Sequence, residues 1–444
     1  MVVIEIMNIL LIDVDTLRAD HLGCYGYHRR TSPAMDLLAR QGALFENCIA
    51  PGIPTTPAHA TLFTGTHPLT HKIVTHGGRR DLDDSIPVLP SILERSGITT
   101  CAIDNLFDVK KWFARGFEFY INPARRHQLG LMVSCDEMNA RAIPWLKSHA
   151  KEPFFLFVHY WDPHTPYLPP RRYRDLYHDG NDPCDPHNRS LAGMEQQPFG
   201  EMWRQFWFPK LGGHITDAEY VVAMYDSEIR YVDDGIRDLL HALDESGAAE
   251  DTLVALIADH GESMYQHDIF FDHHGLYECN VRVPLILRWP GRIGAGQTIS
   301  QLVQHTDLAP TLLDAAGITI PPGMEGVSLI PLASGNPHLS TVDRVYTEEC
   351  TWQAKWGIRT ATHKFILSRQ PDYHNMPRTE LYNLKEDPGE GRSLVAIQPD
   401  LAARFEAELE EWLSRNLERQ GGTADPLIEQ GITLGKRWEA MKRR

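Results

Sequence analysis

The chain opens on an unbroken apolar run. Val3 to Ile12 carries Val, Ile, Met and Leu with only Glu5 and Asn8 between them, and no polar alternation. Such a run suits a central strand covered on both faces, and the carboxylates Asp13 and Asp15 at its end fall where open α/β sheets hold their ligands. Ser32-Pro33 has the pattern of a helix cap followed by proline, which predicts a helix through Leu37 and Leu38 to Gly42, with a strand from Ala43 to Ile49 directly after it. Thr55-Thr56-Pro57 repeats that signal and predicts a helix over Ala58–Phe63 with both threonines at its N-terminus. Apolar runs over Ile98–Ile103, Phe154–Tyr160, Leu253–Ala258 and Val283–Trp289 predict further strands. Between them Thr216 to Ser246 shows an apolar stripe at Tyr225, Ile229, Val232, Ile236, Leu239 and Leu243, the spacing of one helical face. Strand and helix in alternation predict a doubly wound α/β sheet with helices on both faces.

Two segments depart from this rhythm. Pro163 to Gly213 is rich in Pro, Gly, His and Asp without periodicity, which marks a long insertion near the strand ends, of the kind that forms lids or binding loops. After Gly335-Asn336-Pro337 the pattern changes to short strands (Val345–Glu348 and Trp356–Leu367) and an amphipathic helix near Leu401–Leu413. The expected division is therefore a catalytic α/β domain over 1–335 and a small C-terminal α+β subdomain with a tail over 336–444.

Charge and cysteines narrow the classes. With 43 Lys plus Arg against 59 Asp plus Glu, the net charge of −16 disfavours nucleic acid and anionic membrane as partners. The seven cysteines are widely spaced and form no CxxC pair, which fits a reducing compartment better than a disulfide scaffold or a zinc-thiolate site. No run reaches the ~20 apolar residues of a membrane helix, and the N-terminal stretch lacks a basic region and a cleavage site. A cytoplasmic location is expected.

Chemistry collects at strand ends and helix starts: Asp15, Thr55 to His59, Trp161 to Tyr167, and Asp259-His260-Gly261-Glu262. Strand C-termini converge on one edge of such a sheet, so these clusters can share a cleft. Two carboxylates, an imidazole and a hydroxyl make an oxygen-rich site with one nitrogen, suited to Mn²⁺, Zn²⁺ or Mg²⁺ and, less readily, Ca²⁺.

These segments resemble the sulfatase family of the alkaline phosphatase superfamily over most of the chain. NILLIDVDTLRADHLGCYG (8–26) is similar to the family's first metal motif, TTPAHATLFTG (55–65) to its nucleophile motif, and WDPHTPY (161–167) carries its substrate histidine. ADHGE (258–262) resembles the second metal motif, HHGLYECNVRVPLILRWPG (273–291) the segment that follows, and ELYNLKEDPGE (380–390) the C-terminal signature. The resemblance implies an alkaline-phosphatase-like sandwich with a large, mainly parallel central sheet. It places Asp15, Asp259 and His260 on a metal together with Thr55, makes Thr55 and His164 catalytic, and brings His59, Asn105, His164 and His273 to the substrate, His273 also as a catalytic group.

The departures from the family pattern matter as much. Thr55 stands where a sulfatase has the Cys or Ser that becomes formylglycine, and a secondary alcohol cannot become that aldehyde. The motif's Arg is His59, the second carboxylate of the Asp-Asp pair is Thr16, and the Lys and His of a GKWHLG stretch align with Asn105 and Phe107. A further family Lys aligns with His273. This pattern is similar to phosphoryl-transferring relatives, nucleotide phosphodiesterases and, in part, phosphonate monoester hydrolases. The expected activity is a metal-dependent hydrolysis of phosphate diesters or phosphonate monoesters through a Thr55 nucleophile. The alternatives are a sulfuric ester hydrolase using the unmodified threonine and a catalytically weak scaffold that keeps the fold. The expected partner is a small anionic ester, with homo-oligomerisation left open.

Overall fold

The computed structural model describes residues 7–126, 133–197, 200–336, 342–372 and 374–434. The predicted first strand is observed as β1, Asn8–Val14, with every residue buried; its proposed beginning at Val3 and the basic stretch 436–444 lie outside the described residues. The remaining strands are β2 (Ala43–Ile49), β3 (Gly52–Ile53), β4 (Thr99–Ile103), β5 (Phe119–Ile121), β6 (Phe154–Tyr160), β7 (Thr252–Ile257), β8 (Arg282–Arg288), β9 (Gln297–Gln304), β10 (Arg344–Glu349), β11 (Lys355–Thr360), β12 (His363–Ser368) and β13 (Thr379–Asn383).

Eight of them form one sheet in the order β5-β4-β6-β1-β7-β8-β2-β9. β1 lies between β6 and β7 and runs parallel to both, which explains why it is apolar on both faces: each is covered by helices. Only β8 runs against its neighbours β7 and β2, so the sheet is mainly parallel, as expected. The long helix, Ala218–Ser246, starts at Asp217, whose side chain accepts from Glu219 N, and stops at Gly247 in the left-handed conformation. Its stripe from Tyr225 to Leu243 is buried in the main core.

The second sheet, β13-β12-β11-β10-β3, is antiparallel except where β10 meets β3. With the helix Pro399–Arg419 it encloses a smaller core around Trp356, Phe365, Leu381 and Leu409. The C-terminal sheet thus takes its edge strand from residues 52–53, immediately before the helix that carries Thr55. A cut at residue 335 separates these elements in sequence but not in hydrogen bonding.

Candidate active site

Register across β1 and its neighbours builds the site. Side chains alternate along a strand, so Asp13 and Asp15 project to the same side. Asp13 pairs with His159 on β6 and with Ile257 on β7. Ile103, the last residue of β4, pairs with Val158, which brings Asp104 beside His159. Asp259 and His260 follow β7 by two and three residues. The helix Thr55–Thr64 points its first turn at the same place, and all ten of its residues are buried.

Two clusters result. In the front one, Thr55 Oγ lies 3.2 Å from His260 Nε2, which is 3.2 Å from Asp259 Oδ2 and 3.8 Å from Asp15 Oδ1. His260 Nδ1 donates to Gly261 O at 2.9 Å, leaving Nε2 to face the carboxylates. Burial, with repulsion from Asp15, pushes the Asp259 carboxyl up to about 6. Burial opposes ionisation of Asp15 too, but His164, His159 and His260 around it outweigh that and hold its carboxyl below the usual range. Both Asp15 oxygens and Asp259 Oδ2 lack a hydrogen-bond partner. Isolated buried carboxylates are costly unless a cation compensates them. Orphaned oxygens beside an imidazole nitrogen and a hydroxyl fit a divalent ion held by Asp15, Asp259, His260 and Thr55.

Behind it sits a rear cluster of Asp13, His59 and His159, all fully buried. His59 lies one helical turn after Thr55 and its Nδ1 donates to Thr55 O at 2.8 Å. His159 Nδ1 faces Asp104 at 2.9 Å and its Nε2 is 3.4 Å from Asp15 Oδ2. His59 and Asn105, expected at the substrate, do not line the cavity in front of Thr55. His59 is fully buried, and Asn105 is buried with its Oδ1 accepting from Trp161 Nε1 at 2.8 Å.

In front of Thr55 a cavity of about 510 Å³ opens, lined by His164 and His273 and by the aromatic side chains of Trp161, Trp203, Phe206, Trp207, Phe271 and Trp352. His164 Nδ1 donates to Thr165 O at 2.7 Å, which leaves Nε2 for a ligand. Burial, reinforced by His260, holds the His273 ring well below the usual histidine range, so it is neutral. The neighbouring histidines go elsewhere: His274 meets His374 at 2.5 Å and His267 stacks on Tyr277 with 3.5 Å between ring centres. His76, whose Nδ1 is 2.9 Å from Thr56 Oγ, also reaches the cavity. Nothing in its surrounding sequence singled it out. Asp13 stands at the end of the first apolar run, and His159 became visible only once β1 and β6 were in register.

The family model described as Sulfatase matches residues 7–318. The chain belongs to the sulfatase family. It is, with that family, a hydrolytic enzyme. A second model, described as N-sulphoglucosamine sulphohydrolase, C-terminal, matches 266–419, which covers β10 to β13 of the smaller sheet and the helix Pro399–Arg419 but not β3. Among relatives of this sulfatase-family chain is the N-acetylglucosamine-6-O-sulfatase of Bacteroides thetaiotaomicron, 23% identical over 86% of this chain and 81% of that protein. In fold the chain is similar to a protein solved in complex with its substrate D-glucosamine-2-N,6-O-disulfate, with a TM-score of 0.76 at 21% identity, covering 95% of this chain and 99% of that one. It is similar also to the phosphonate monoester hydrolase of Agrobacterium radiobacter, with a TM-score of 0.73 at 22% identity over 93% and 96% of the two chains. The named relatives back the sulfuric-ester alternative better than the phosphoryl expectation. Among the described residues of this sulfatase-family chain, no helix is long and apolar enough to cross a membrane.

Proposed function

We propose that this chain is a metal-dependent hydrolase of singly charged esters of a tetrahedral oxyanion, sulfuric esters first, with Thr55 as the attacking group. The observation that carries this reading is the Thr55 hydroxyl, 3.2 Å from His260 Nε2 and on the cavity floor, in a cluster where both Asp15 oxygens and Asp259 Oδ2 have no hydrogen-bond partner. Asp15, Asp259, His260 and Thr55 would hold a divalent ion, which would supply Lewis-acid charge that eases loss of the hydroxyl proton to water and offsets the ester's negative oxygens. Thr55 Oγ attacks sulfur in line, and the bond to the leaving alcohol oxygen breaks. Backbone N–H groups at the start of the helix Thr55–Thr64 steady the non-bridging oxygens. His164, once protonated at Nε2, hands a proton to the leaving oxygen. Water then cleaves the Oγ–sulfur bond and restores the threonine. Lys210 is the one Lys or Arg among the described residues lining the cavity, which favours a monoanion over a dianionic phosphate monoester. The aromatic wall favours an organic group with a flat apolar face.

A second reading, phosphonate monoesters and phosphate diesters, is favoured by residue 55 itself. An aldehyde hydrate can expel sulfate by breaking its own C–O bond, whereas a sulfo-threonine must wait for water to attack sulfur. A phospho-threonine is cleared by in-line attack at phosphorus. Four p-nitrophenyl esters compared side by side with Mn²⁺ or Zn²⁺ decide the matter: sulfate, phenylphosphonate, phosphate diester and phosphate monoester. Fastest turnover of the sulfate, with Thr55 unmodified by mass spectrometry, supports the first reading. Fastest turnover of the diester or phosphonate supports the second, and no turnover of any ester by metal-loaded protein overturns both.

A further inference from the structure

The rear cluster does not belong to the reaction as written above, yet it is built like a ligand set. We propose that Asp13, His59 and His159 hold a second divalent ion of the first transition row, Zn²⁺ or Mn²⁺, buried behind the nucleophile and bridged to the front site by Asp15. The inference goes beyond the proposed activity and rests on three observations.

The first is direction. His59 Nε2 is 2.8 Å from Asp13 Oδ2, inside hydrogen-bond distance. Even so, His59 Nε2, His159 Nε2 and both Asp13 oxygens make no hydrogen bond, although all three residues are fully buried. The ring N–H direction misses the carboxylate, and the ligand atoms of the three residues all lie within 4.8 Å of one another. Ligand atoms around an ion with bonds of ~2.0 Å stand roughly 3.3 Å apart, against 2.8 Å from His59 Nε2 to Asp13 Oδ2 and 3.4 Å from His159 Nε2 to Oδ2 of Asp15, the residue shared with the front site.

The second is anchoring. A ligating histidine ordinarily gives its other N–H to a carboxylate or a backbone carbonyl, which fixes the tautomer and aims the free nitrogen. Both rear histidines do this: His59 Nδ1 to Thr55 O at 2.8 Å and His159 Nδ1 to Asp104 at 2.9 Å. His260 in the front site is held in the same manner.

The third is charge. Asp13, Asp15, Asp104 and Asp259 bring four carboxylates into a space from which solvent is excluded. Among the described residues their ion-pair partners are histidines and no Lys or Arg. One divalent ion in front leaves two charges uncompensated, and a second ion at the rear balances them with every imidazole neutral. Two imidazole nitrogens with carboxylate oxygens suit Zn²⁺, Mn²⁺ or Fe²⁺ better than Mg²⁺ or Ca²⁺. An ion on His59 also pins the turn that carries Thr55, because His59 Nδ1 holds the Thr55 carbonyl.

The test is metal counting on the full chain, loaded separately with Zn²⁺ and with Mn²⁺ and then dialysed, together with anomalous diffraction at each metal edge. The expected result is two ions per chain, with one peak among Asp15, Asp259 and His260 and another among Asp13, His59 and His159. Asp13→Asn and His159→Gln should each retain one ion per chain and lose the rear peak alone. A saturated wild-type protein with the front peak only overturns the inference, assigns the cluster to protonated histidines, and leaves the proposed activity standing. Loss of both peaks overturns the activity's metal requirement as well. If neither variant folds, the wild-type count and map decide by themselves.

Discussion

The cavity has a floor and a wall, and they are made differently. Floor residues sit where the backbone has little choice: Asp15 just past β1, Asp259 just past β7, and Thr55 at the first turn of a fully buried helix. The wall comes from long connections, with Trp203, Phe206 and Trp207 between β6 and the helix Ala218–Ser246, and Trp352 between β10 and β11. Phe206 is 66% exposed, whereas the floor carboxylates are at 0%. On the proposed reading, chemistry is seated in the most constrained part of the molecule, and recognition of the organic group in a part that can vary without disturbing the sheet. The two regions should separate under mutation, the floor failing in turnover and the wall in substrate affinity.

The largest expected effect is at the floor. Thr55→Ala should reduce kcat by on the order of 10⁴-fold, as removal of a nucleophile does elsewhere, with circular dichroism and metal content unchanged. Thr56→Ala, which loses only its contact with His76, should stay within about tenfold. If Thr56 proves essential and Thr55 dispensable, the nucleophile is misplaced by one residue and the floor is not organised as described. Asp259→Ala should abolish activity and also the front ion's share of the rise in thermal stability on adding metal, about 2.7 kcal/mol at metal concentrations near 100 times that site's Kd. An undiminished rise in Asp259→Ala would show that the front site is held by other groups.

The floor and the wall also differ in how far they can be read from sequence. β2 and β6 coincide to the residue with their apolar runs, and Asp15, Thr55, Asp259 and His260 stand at run ends where motif and position agree. β5 is three residues long, and β9, QTISQLVQ, is an edge strand with five of its eight residues polar, so neither announces itself. The rear cluster is invisible for another reason. Asp13, His59 and His159 lie on three separate segments, and only the β1–β6 register makes neighbours of two of them. Half of the aromatic wall, Trp203, Phe206 and Trp207, falls within an insertion with no periodic pattern, where aromatic residues carry no sign of which face they serve. His59 and Asn105 illustrate another limit: the family pattern puts their positions near the substrate, whereas in the structure both are buried and neither lines the cavity, Asn105 accepting from Trp161.

A smaller effect should appear at the wall. Phe206→Ala removes an exposed ring that flanks the cavity and should raise KM about tenfold for an aryl ester, roughly 1.4 kcal/mol, with kcat nearly unchanged. The same variant should matter little for a small alkyl ester. Equal losses for both esters, or a loss in kcat, would mean that the wall orders the reacting group and that the division from the floor is less sharp than the structure shows.

The smallest effect concerns the underside of the floor and is read in stability. His305 is fully buried, and its Nε2 donates to Ala258 O at 3.1 Å, directly before Asp259. Burial, with the nearby His59, pushes its pKa down to about 3, against roughly 6.5 in an unfolded chain. Between those values the unfolded chain binds a proton that the folded protein refuses. His305 therefore lends stability that is present above pH 6.5 and is lost as pH falls toward 3, at up to about 1.4 kcal/mol per pH unit. His305→Gln keeps a donor for Ala258 O but cannot take up the proton, so its stability should fall less steeply than wild type between pH 6.5 and 4.5, above the range where ordinary carboxylates titrate. Urea unfolding of both proteins across that window measures the difference, and Phe206→Ala, altered only in the wall, should follow the wild-type slope. Parallel slopes for His305→Gln and wild type would place the acid sensitivity of the floor on other groups and remove His305 from the account.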